Sequence, residues 1–444
     1  MNPKKNSLCP CGSGKKYKRC CGDKNVSNRC TERSQIVKPL VKIPYRFEKI
    51  LFLFLGALIL RILPLVFGIE STDILLYKQQ ATPVIEWQNI YTVTKNVFPY
   101  TPVSMFYPAF CYCLSQVLKV PFHIVMKMPA IFSDTAIVMS LYLLGSKILT
   151  EKKAFLLAVL YTLNPVSILV SSFHGNIMSF VVLAMLLSYL YLSIDKDKNL
   201  TLSALLLGLA IGWRSFPILL LPFFLLELDS WKKRIIFFLY AMVPVGISVL
   251  PFLILDAGAM LKEMMGYSGW GIHHGPFAIL RANYLISLDK ITWRNPPEWE
   301  HFFSFSKVAF FVYYGAFFIF FRKLSLLAKI IAVFILFYLL YAGTASQYLI
   351  WVLPFLLFLD SKRFFYLYVG ITTYALVVFY WTFFPDILFG SLDSPRVPLI
   401  LLLHHYQISQ CFFSTNLVYI LLMIFLGKTQ PLFDKLQVNQ SSLI

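Results

Sequence analysis

The sequence predicts an all-α, polytopic membrane protein: a bundle of about twelve transmembrane helices with outer loops and a small cysteine-rich knob at one end. Three observations carry the membrane part. Hydrophobic residues fill 58% of the 444 positions, while Asp, Glu, Lys and Arg supply 14%, against roughly 25% charged in soluble domains. Apolar runs of about 20 residues, each enough to cross a hydrocarbon layer of about 30 Å, recur along the chain. The basic clusters fall in every second connection between those runs, all on the cytoplasmic side, as the positive-inside rule requires. A water-soluble globule is excluded.

The net charge is +19, and residues 1–49 hold 13 basic and 3 acidic side chains, a net of +10 ahead of the first span. Lys and Arg beside spans stay on the side from which insertion occurs, so the basic head is cytoplasmic. The excess therefore needs no nucleic-acid partner, and no basic and aromatic single-strand track lies outside the head. The first apolar run, Lys49 to Ile69, follows nearly fifty polar residues and is not trailed by a small-residue cleavage site. It reads as an anchor, not a signal peptide.

Within the head, Cys9, Cys11, Cys20 and Cys21 lie in the string CPCGSGKKYKRCCG. Four thiolates so placed can surround one tetrahedral zinc, and Gly12 and Gly14 let the backbone turn. The string resembles the SEC-C zinc-binding motif, also found at the tail of the bacterial preprotein-translocation ATPase. A closed four-sulfur site has no open position for substrate, so a structural zinc in a small knob that docks a cytoplasmic protein partner is preferred to zinc catalysis. Bound zinc also needs a reducing compartment, in agreement with the charge argument. Residues 1–24 form this motif, 25–46 a basic linker, 47–430 the membrane domain and 431–444 a tail.

Spans are expected near residues 48–69, 123–146, 154–172, 177–194, 200–213, 215–228, 235–256, 303–321, 324–342, 347–359, 364–384 and 408–427. The run 103–119 is read as a helix along the outer interface, because counting it as a span would send Lys147, Lys152 and Lys153 outside. Outer loops then cover 70–122, 257–302 and 385–407. No internal repeat suggests the inverted halves of a secondary transporter. Cys30, Cys111, Cys113 and Cys411 show no partner spacing.

The first outer loop opens with Glu70 and Asp73 and continues to Tyr77, Tyr91, Tyr100 and Pro102. A carboxylate at the membrane face beside aromatic rings, poorly hydrated, would have its pKa raised toward neutrality and become a usable base. Equally, Asp73 can be a helix cap in a solvated loop.

The strings Thr72-Asp-Ile-Leu-Leu-Tyr77, Tyr91, Phe98-Pro-Tyr-Thr-Pro102, Leu163-Asn-Pro-Val166, Ser171-Ser-Phe-His-Gly-Asn176, Trp213-Arg-Ser-Phe-Pro217 and Gln347-Tyr-Leu-Ile-Trp351 occur in this order over some three hundred residues. With Gly208-Leu-Ala-Ile211 and Pro354 they resemble the GT-C class of polytopic glycosyltransferases, in particular the first mannosyltransferases of GPI-anchor synthesis and their prokaryotic relatives. The resemblance implies transfer of one sugar, mannose by inheritance, from a polyprenyl-phosphate carrier to a lipid, glycan or protein acceptor outside the cytoplasm. It implies inversion in one displacement, with Asp73 as base. A bacterial inner membrane suits the zinc motif.

Loss of an anionic lipid phosphate needs nearby positive charge or donors. Arg214, where the related enzymes often place Lys, can hold two phosphate oxygens or cap carbonyls at a helix break. Lys127 can hold phosphate or snorkel to the interface. Arg61 and Asp134 are read first as locally satisfied structural groups, then as partners of the site. His174 and Asn176 can bind sugar hydroxyls or phosphate, with turn capping open for Asn176. Gln347 and Tyr348 can cradle the donor, or serve as a cap and a belt residue. Tyr267, Trp270, His273 and His274 offer stacking faces and donors, and His404 and His405 a second histidine pair without a third ligand.

Two departures weigh against a metal-dependent mechanism: Leu75 stands where the family has a second carboxylate, and Met178 where an acidic residue commonly follows. No catalytic metal is expected. A lipid or solute transporter shares this composition, and a tether using its zinc head is a third class. Large aromatic outer loops and Asp73 at a loop start argue against transport, and twelve spans exceed an anchor's needs.

Overall fold

A computed structural model describes residues 45–67, 71–93, 98, 100–266, 276–289, 299–359, 362–383 and 396–425. The four cysteines of the head, Glu70, Tyr267, Trp270, His273 and His274 lie outside them. The chain divides into two compact units, Met1–Phe52 and Leu53–Ile444. Among the described residues all regular structure is helical. Of the first unit, the described part is the opening of helix α1 (Tyr45–Ile62); everything below concerns the second unit.

Among the described residues four helices, Phe122–Ile148, Trp231–Met264, His301–Phe320 and Arg363–Thr382, are long and apolar enough to cross a membrane, and Glu151–Thr162 with Pro165–His174, bent by 49°, are so only when taken together as one span. Six further apolar helices of 10–17 residues pack among them. At about 1.5 Å per residue, 14 helical residues rise about 21 Å, short of the about 30 Å of hydrocarbon. The chain is a multi-pass, all-α membrane protein.

After α1, the helices are α2 (Thr72–Ile85), α3 (Val103–Leu118), α4 (Phe122–Leu143), α5 (Glu151–Thr162), α6 (Met178–Ile194), α7 (Leu200–Trp213), α8 (Leu221–Leu226) and α9 (Trp231–Gly266). They continue as α10 (Pro276–Leu288), α11 (Glu300–Phe320), α12 (Leu326–Leu340), α13 (Lys362–Phe383) and α14 (Arg396–Phe425). Local chemistry sets several boundaries. Ser71, Thr150 and Ser325 cap α2, α5 and α12 with their side-chain oxygens, satisfying orphan helix-terminal N–H groups. Asn164 caps the turn that Pro165 opens, so the chain breaks between Thr162 and Pro165. Helix α12 is apolar all round and buried along its length, as expected of a helix at the centre of a bundle.

Two contacts fix how the middle helices run. Ser188 of α6 and Ser203 of α7 exchange hydroxyl-to-carbonyl bonds of 2.8 Å across a short connection, an antiparallel hairpin. Gly208 of α7 faces Ala241 of α9, and Gly212, one turn on, faces Pro244. Helices α7 and α9 therefore run the same way, and the segment Phe216–Leu226 between them must return across the layer. The break at Arg214 and Ser215 thus separates α7 from that returning segment. Gly208 is required here: a Cβ would come within 2.1 Å of the Ala241 carbonyl oxygen.

Arg61 and Asp134 pair with each other in the core, both fully buried. Asp134 also accepts from Tyr161 (2.7 Å) and Ser171 (3.2 Å), and Arg61 donates to Ser167 Oγ (2.8 Å) and to the carbonyls of Ala57, Tyr161 and Thr162. This network ties α1, α4, α5 and the residues after Asn164, so the pair is a satisfied structural element, the first of its two readings. Lys329 and Glu227 make a second ion pair of 2.9 Å.

Two expectations need correction. Residues 396–407, read as outer loop, begin α14, an unbroken helix of 30 residues. Pro398 sits in its first turn, where its missing N–H costs nothing, and the apolar run after it continues the helix. The stretch read as one span at 347–359 is a 3-10 turn, Ser346–Ile350, followed by the short helix Leu353–Leu356; Pro354 interrupts regular hydrogen bonding there.

Candidate functional site

Asp73 stands in the first turn of α2, where Ser71 accepts a bond from the Ile74 amide at 3.4 Å. Facing it is the end of the bent segment, where Leu169–His174 winds as a π-helical turn, a rare geometry often found at functional sites. Gly175 closes that turn with φ 77°, a left-handed conformation that favours glycine. There is no room for a side chain either, since a Cβ would meet Lys127 Cγ at 2.7 Å. The turn delivers two side chains to Asp73: His174 Nε2 lies 3.0 Å from Oδ2, and Asn176 donates to the same oxygen at 2.7 Å. Ser71 also donates to the His174 carbonyl at 2.7 Å, locking the two segments together.

The capping and base readings of Asp73 are resolved in part by this arrangement, because Ser71 is the cap. Desolvation does push the Asp73 carboxyl up, but His174, the Asn176 amide and the Arg214 charge outweigh it, and its pKa lies below the ordinary value. This corrects the expectation of a raised pKa. The charged form is held by donors that the sequence placed on substrate instead.

Arg214 ends α7 in extended backbone and is 3% exposed. It donates from Nη2 to the Tyr77 hydroxyl at 3.1 Å, and its Cζ sits 3.4 Å from the Tyr100 ring centroid. Its Nε and Nη1 make no hydrogen bond to any described residue. The side chain thus meets a hydroxyl and a ring face rather than the backbone carbonyls of a helix break. Tyr77 lies one turn after Asp73 on the same face of α2, and Tyr100 is set by the Tyr91 hydroxyl, which donates to its carbonyl at 2.7 Å. Asp73, Tyr77, Tyr100 and Tyr348 all lie within electrostatic reach of Arg214.

Lys127 of α4 is fully buried, not snorkelled, and donates to the Phe173 carbonyl at 2.9 Å. Its stem runs against Gly175, beneath the turn that holds Asp73. Tyr348 stacks on Trp351 at 4.4 Å, and Trp351 stacks in turn on Phe216 at 3.5 Å. The Gln347 Oε1 atom is buried with no hydrogen-bond partner among the described residues. Six of the expected residues, Tyr77, Tyr100, Lys127, His174, Asn176 and Tyr348, therefore gather around Asp73 and Arg214, and Gln347 adjoins them through Tyr348.

His404 is exposed, and His405 is buried beside Ser409, Tyr374 and Tyr406. Among the described residues no three His, Cys, Asp or Glu side chains are grouped to hold a metal. Sequence reasoning missed Tyr380 of α13, whose ring lies 5.7 Å from that of His174. It also missed Ser71, although a Ser just ahead of a helical run is a legible cap signal.

The model of glycosyltransferase family 87 matches residues 105–267, which include Lys127, His174, Asn176 and Arg214. The SEC-C motif matches residues 6–23, which include all four cysteines of the head. GPI mannosyltransferase 1 of Candida albicans is 42% identical over 82 residues, 18% of this chain and 20% of that protein. A UPF0225 protein of Serratia proteamaculans is 75% identical over 20 residues, 4% of this chain and 13% of that protein. The chain spans a fifth or less of the length of these two curated relatives.

Proposed function

We propose that this protein is an integral-membrane glycosyltransferase that moves one sugar from a polyprenyl-phosphate carrier to a hydroxyl of an acceptor outside the cytoplasm, inverting the anomeric centre with Asp73 as base. The match to glycosyltransferase family 87 supports the reaction class. One observation carries the rest: a buried guanidinium with two unengaged nitrogens stands beside a carboxylate held in its charged form. A buried cation is costly without an anion, and Arg matches phosphate with two parallel donors.

The chemistry follows from those roles. The acceptor oxygen bonds to the anomeric carbon, the bond from that carbon to the phosphate oxygen breaks, and its electron pair leaves on the phosphate held by Arg214. The hydroxyl proton passes to Asp73. A low carboxyl pKa is compatible with this, because the hydroxyl becomes strongly acidic as it bonds to an electron-poor carbon. The base needs to be charged and in place more than it needs to be strong. Tyr77 and Tyr100 orient the guanidinium, and Tyr348, backed by Trp351, offers its other face to the sugar.

Mannose is the sugar suggested by the likeness to GPI mannosyltransferase 1. The cysteines Cys9, Cys11, Cys20 and Cys21 are assigned to one structural zinc, since four thiolates suit its tetrahedral preference. A bacterial inner membrane with a cytoplasmic zinc head, which would dock a protein partner, fits the basic residues 1–49. The test is transfer by membranes given labelled polyprenyl-phosphate mannose and an acceptor extract. Labelled product from the parent and none from Asp73→Asn is expected. Equal product from both would remove Asp73 as base, and passage of label across the membrane without bond formation would replace transfer by transport.

A further inference from the structure

We infer that His174 is a positioning residue that makes Asp73 a one-oxygen base: it pins Oδ2, with Asn176, so that Oδ1 alone meets the acceptor hydroxyl. The inference rests on the proposed transfer reaction and gives His174 a role different from substrate contact. Both hydrogen bonds that described residues make to the carboxylate end on Oδ2, from His174 at 3.0 Å and Asn176 at 2.7 Å. No described residue bonds to Oδ1, and the Asp73 side chain keeps 25% exposure. A carboxylate with one oxygen doubly engaged cannot rotate freely, and its remaining lone pairs point in one direction. The carboxylate partner fixes Nε2 as the protonated nitrogen of the ring.

The support behind His174 is built for placement. Its carbonyl takes the Ser71 hydroxyl at 2.7 Å, from the residue that caps the helix carrying Asp73. The Tyr380 ring lies 5.7 Å away, and the left-handed Gly175 and the π-turn aim the imidazole at α2. His174 is 3% exposed, so it offers little surface to a sugar. Such a side chain, buried and bonded to another side chain, acts through its partner. The charged and titratable groups facing the carboxylate besides His174 are Arg214 at the end of α7, Tyr77 on α2, and Tyr100, Tyr348 and Tyr380 from three further segments. His174 makes the largest of the contributions that favour the charged carboxylate.

The experiment reads the carboxyl directly. Infrared difference spectra of the purified full chain in lipid nanodiscs, parent against Asp73→Asn, isolate the Asp73 carboxyl stretch across a pH titration without any substrate. His174→Ala should raise the midpoint by about one unit or more, while His174→Gln, which returns an N–H near the Nε2 position, should hold it close to the parent. In the transfer assay the acid limb of kcat/KM should move by the same amount in His174→Ala, with kcat reduced and KM for donor little changed. An unmoved midpoint in His174→Ala overturns the inference even if the parent transfers sugar. A moved midpoint with no transfer by the parent would instead sink the proposed function and leave the positioning role supported. A rise in KM alone would return His174 to substrate binding.

Discussion

Arg214 lies flat against Tyr100, with Cζ 3.4 Å from the ring centroid, while its Nη2 reaches the Tyr77 hydroxyl at 3.1 Å. One face of the guanidinium is therefore occupied by an aromatic ring, and its edge carries the free donors. This arrangement depends on planarity. A lysine ammonium cannot stack in that way and presents a point charge.

Arg214→Lys should keep the charge but lose the parallel pair of donors and the stack. We expect kcat to fall about 10²- to 10³-fold, the size of effect seen when one donor to a developing anion is removed. Tyr100→Leu should show a smaller loss in the same direction. Single-turnover measurement with a saturating sugar donor checks both, and a parental rate in Arg214→Lys would remove the bidentate role.

Asp73 gives a pH prediction with a definite sign. Its folded pKa is lowered by His174, Asn176 and Arg214, so the charged form is favoured in the folded protein. The stability this supplies is fully present above the ordinary carboxyl pKa of about 4 and is lost as pH falls through the lower folded value. Asp73→Asn should therefore unfold at a lower temperature than the parent at neutral pH, and the gap should close as pH drops below about 4. Thermal unfolding in detergent at a series of pH values reads it. A catalytic carboxylate under strain would give the opposite order, with Asn more stable.

Much of this site was legible from residue strings. Asp73, Tyr77, Tyr100, Lys127, His174, Asn176, Arg214 and Tyr348 come from six separate segments, and the fold brings them together. Strings in order can mark such positions, because Asp73, His174, Asn176 and Arg214 sit at or beside helix ends where a polar residue interrupts an apolar run. What the strings could not carry is which groups touch which. The direction of the Asp73 shift depends on two donors a hundred residues away converging on one oxygen. Tyr380 was missed because one tyrosine in an aromatic-rich span gives no pattern. The expected span at 408–427 lies inside α14, but residues 396–407 were read as loop, although Arg396 and Pro398 can open a helix.

The Arg61 and Asp134 pair should behave as a structural clasp rather than part of the chemistry. Asp134→Ala leaves a fully buried guanidinium opposite an empty position and strips Tyr161 and Ser171 of their acceptor. Losing one member of a buried pair typically costs about 3–5 kcal/mol. Replacing both, as Arg61→Met with Asp134→Leu, should recover part of the loss because no lone charge remains. Unfolding midpoints of the single and double variants decide this, and a double variant less stable than Asp134→Ala would show that the network matters as a whole.

Gly208 tests whether helix spacing sets the site. It lets α7 approach α9 so closely that a Cβ would sit 2.1 Å from the Ala241 carbonyl oxygen, 2.8 Å from its carbon and 3.0 Å from its Cα. All three atoms are backbone, so no side chain can swing aside, and Gly208→Ala must push the helices apart. Overpacking of this kind costs about 1–3 kcal/mol. The more telling effect is on Arg214, six residues further along at the C-terminal end of α7. A tilt or slide of α7 moves the guanidinium off Tyr100 and away from Tyr77, and such small displacements can cost about 10²-fold in rate. Gly208→Ala should therefore reduce both stability and turnover. Gly246→Ala on α9, where a Cβ meets nothing within 4 Å, should leave both near the parent. Loss of stability in Gly208→Ala with turnover intact would mean that the guanidinium is positioned by its tyrosines alone and not by the packing of the helix that carries it.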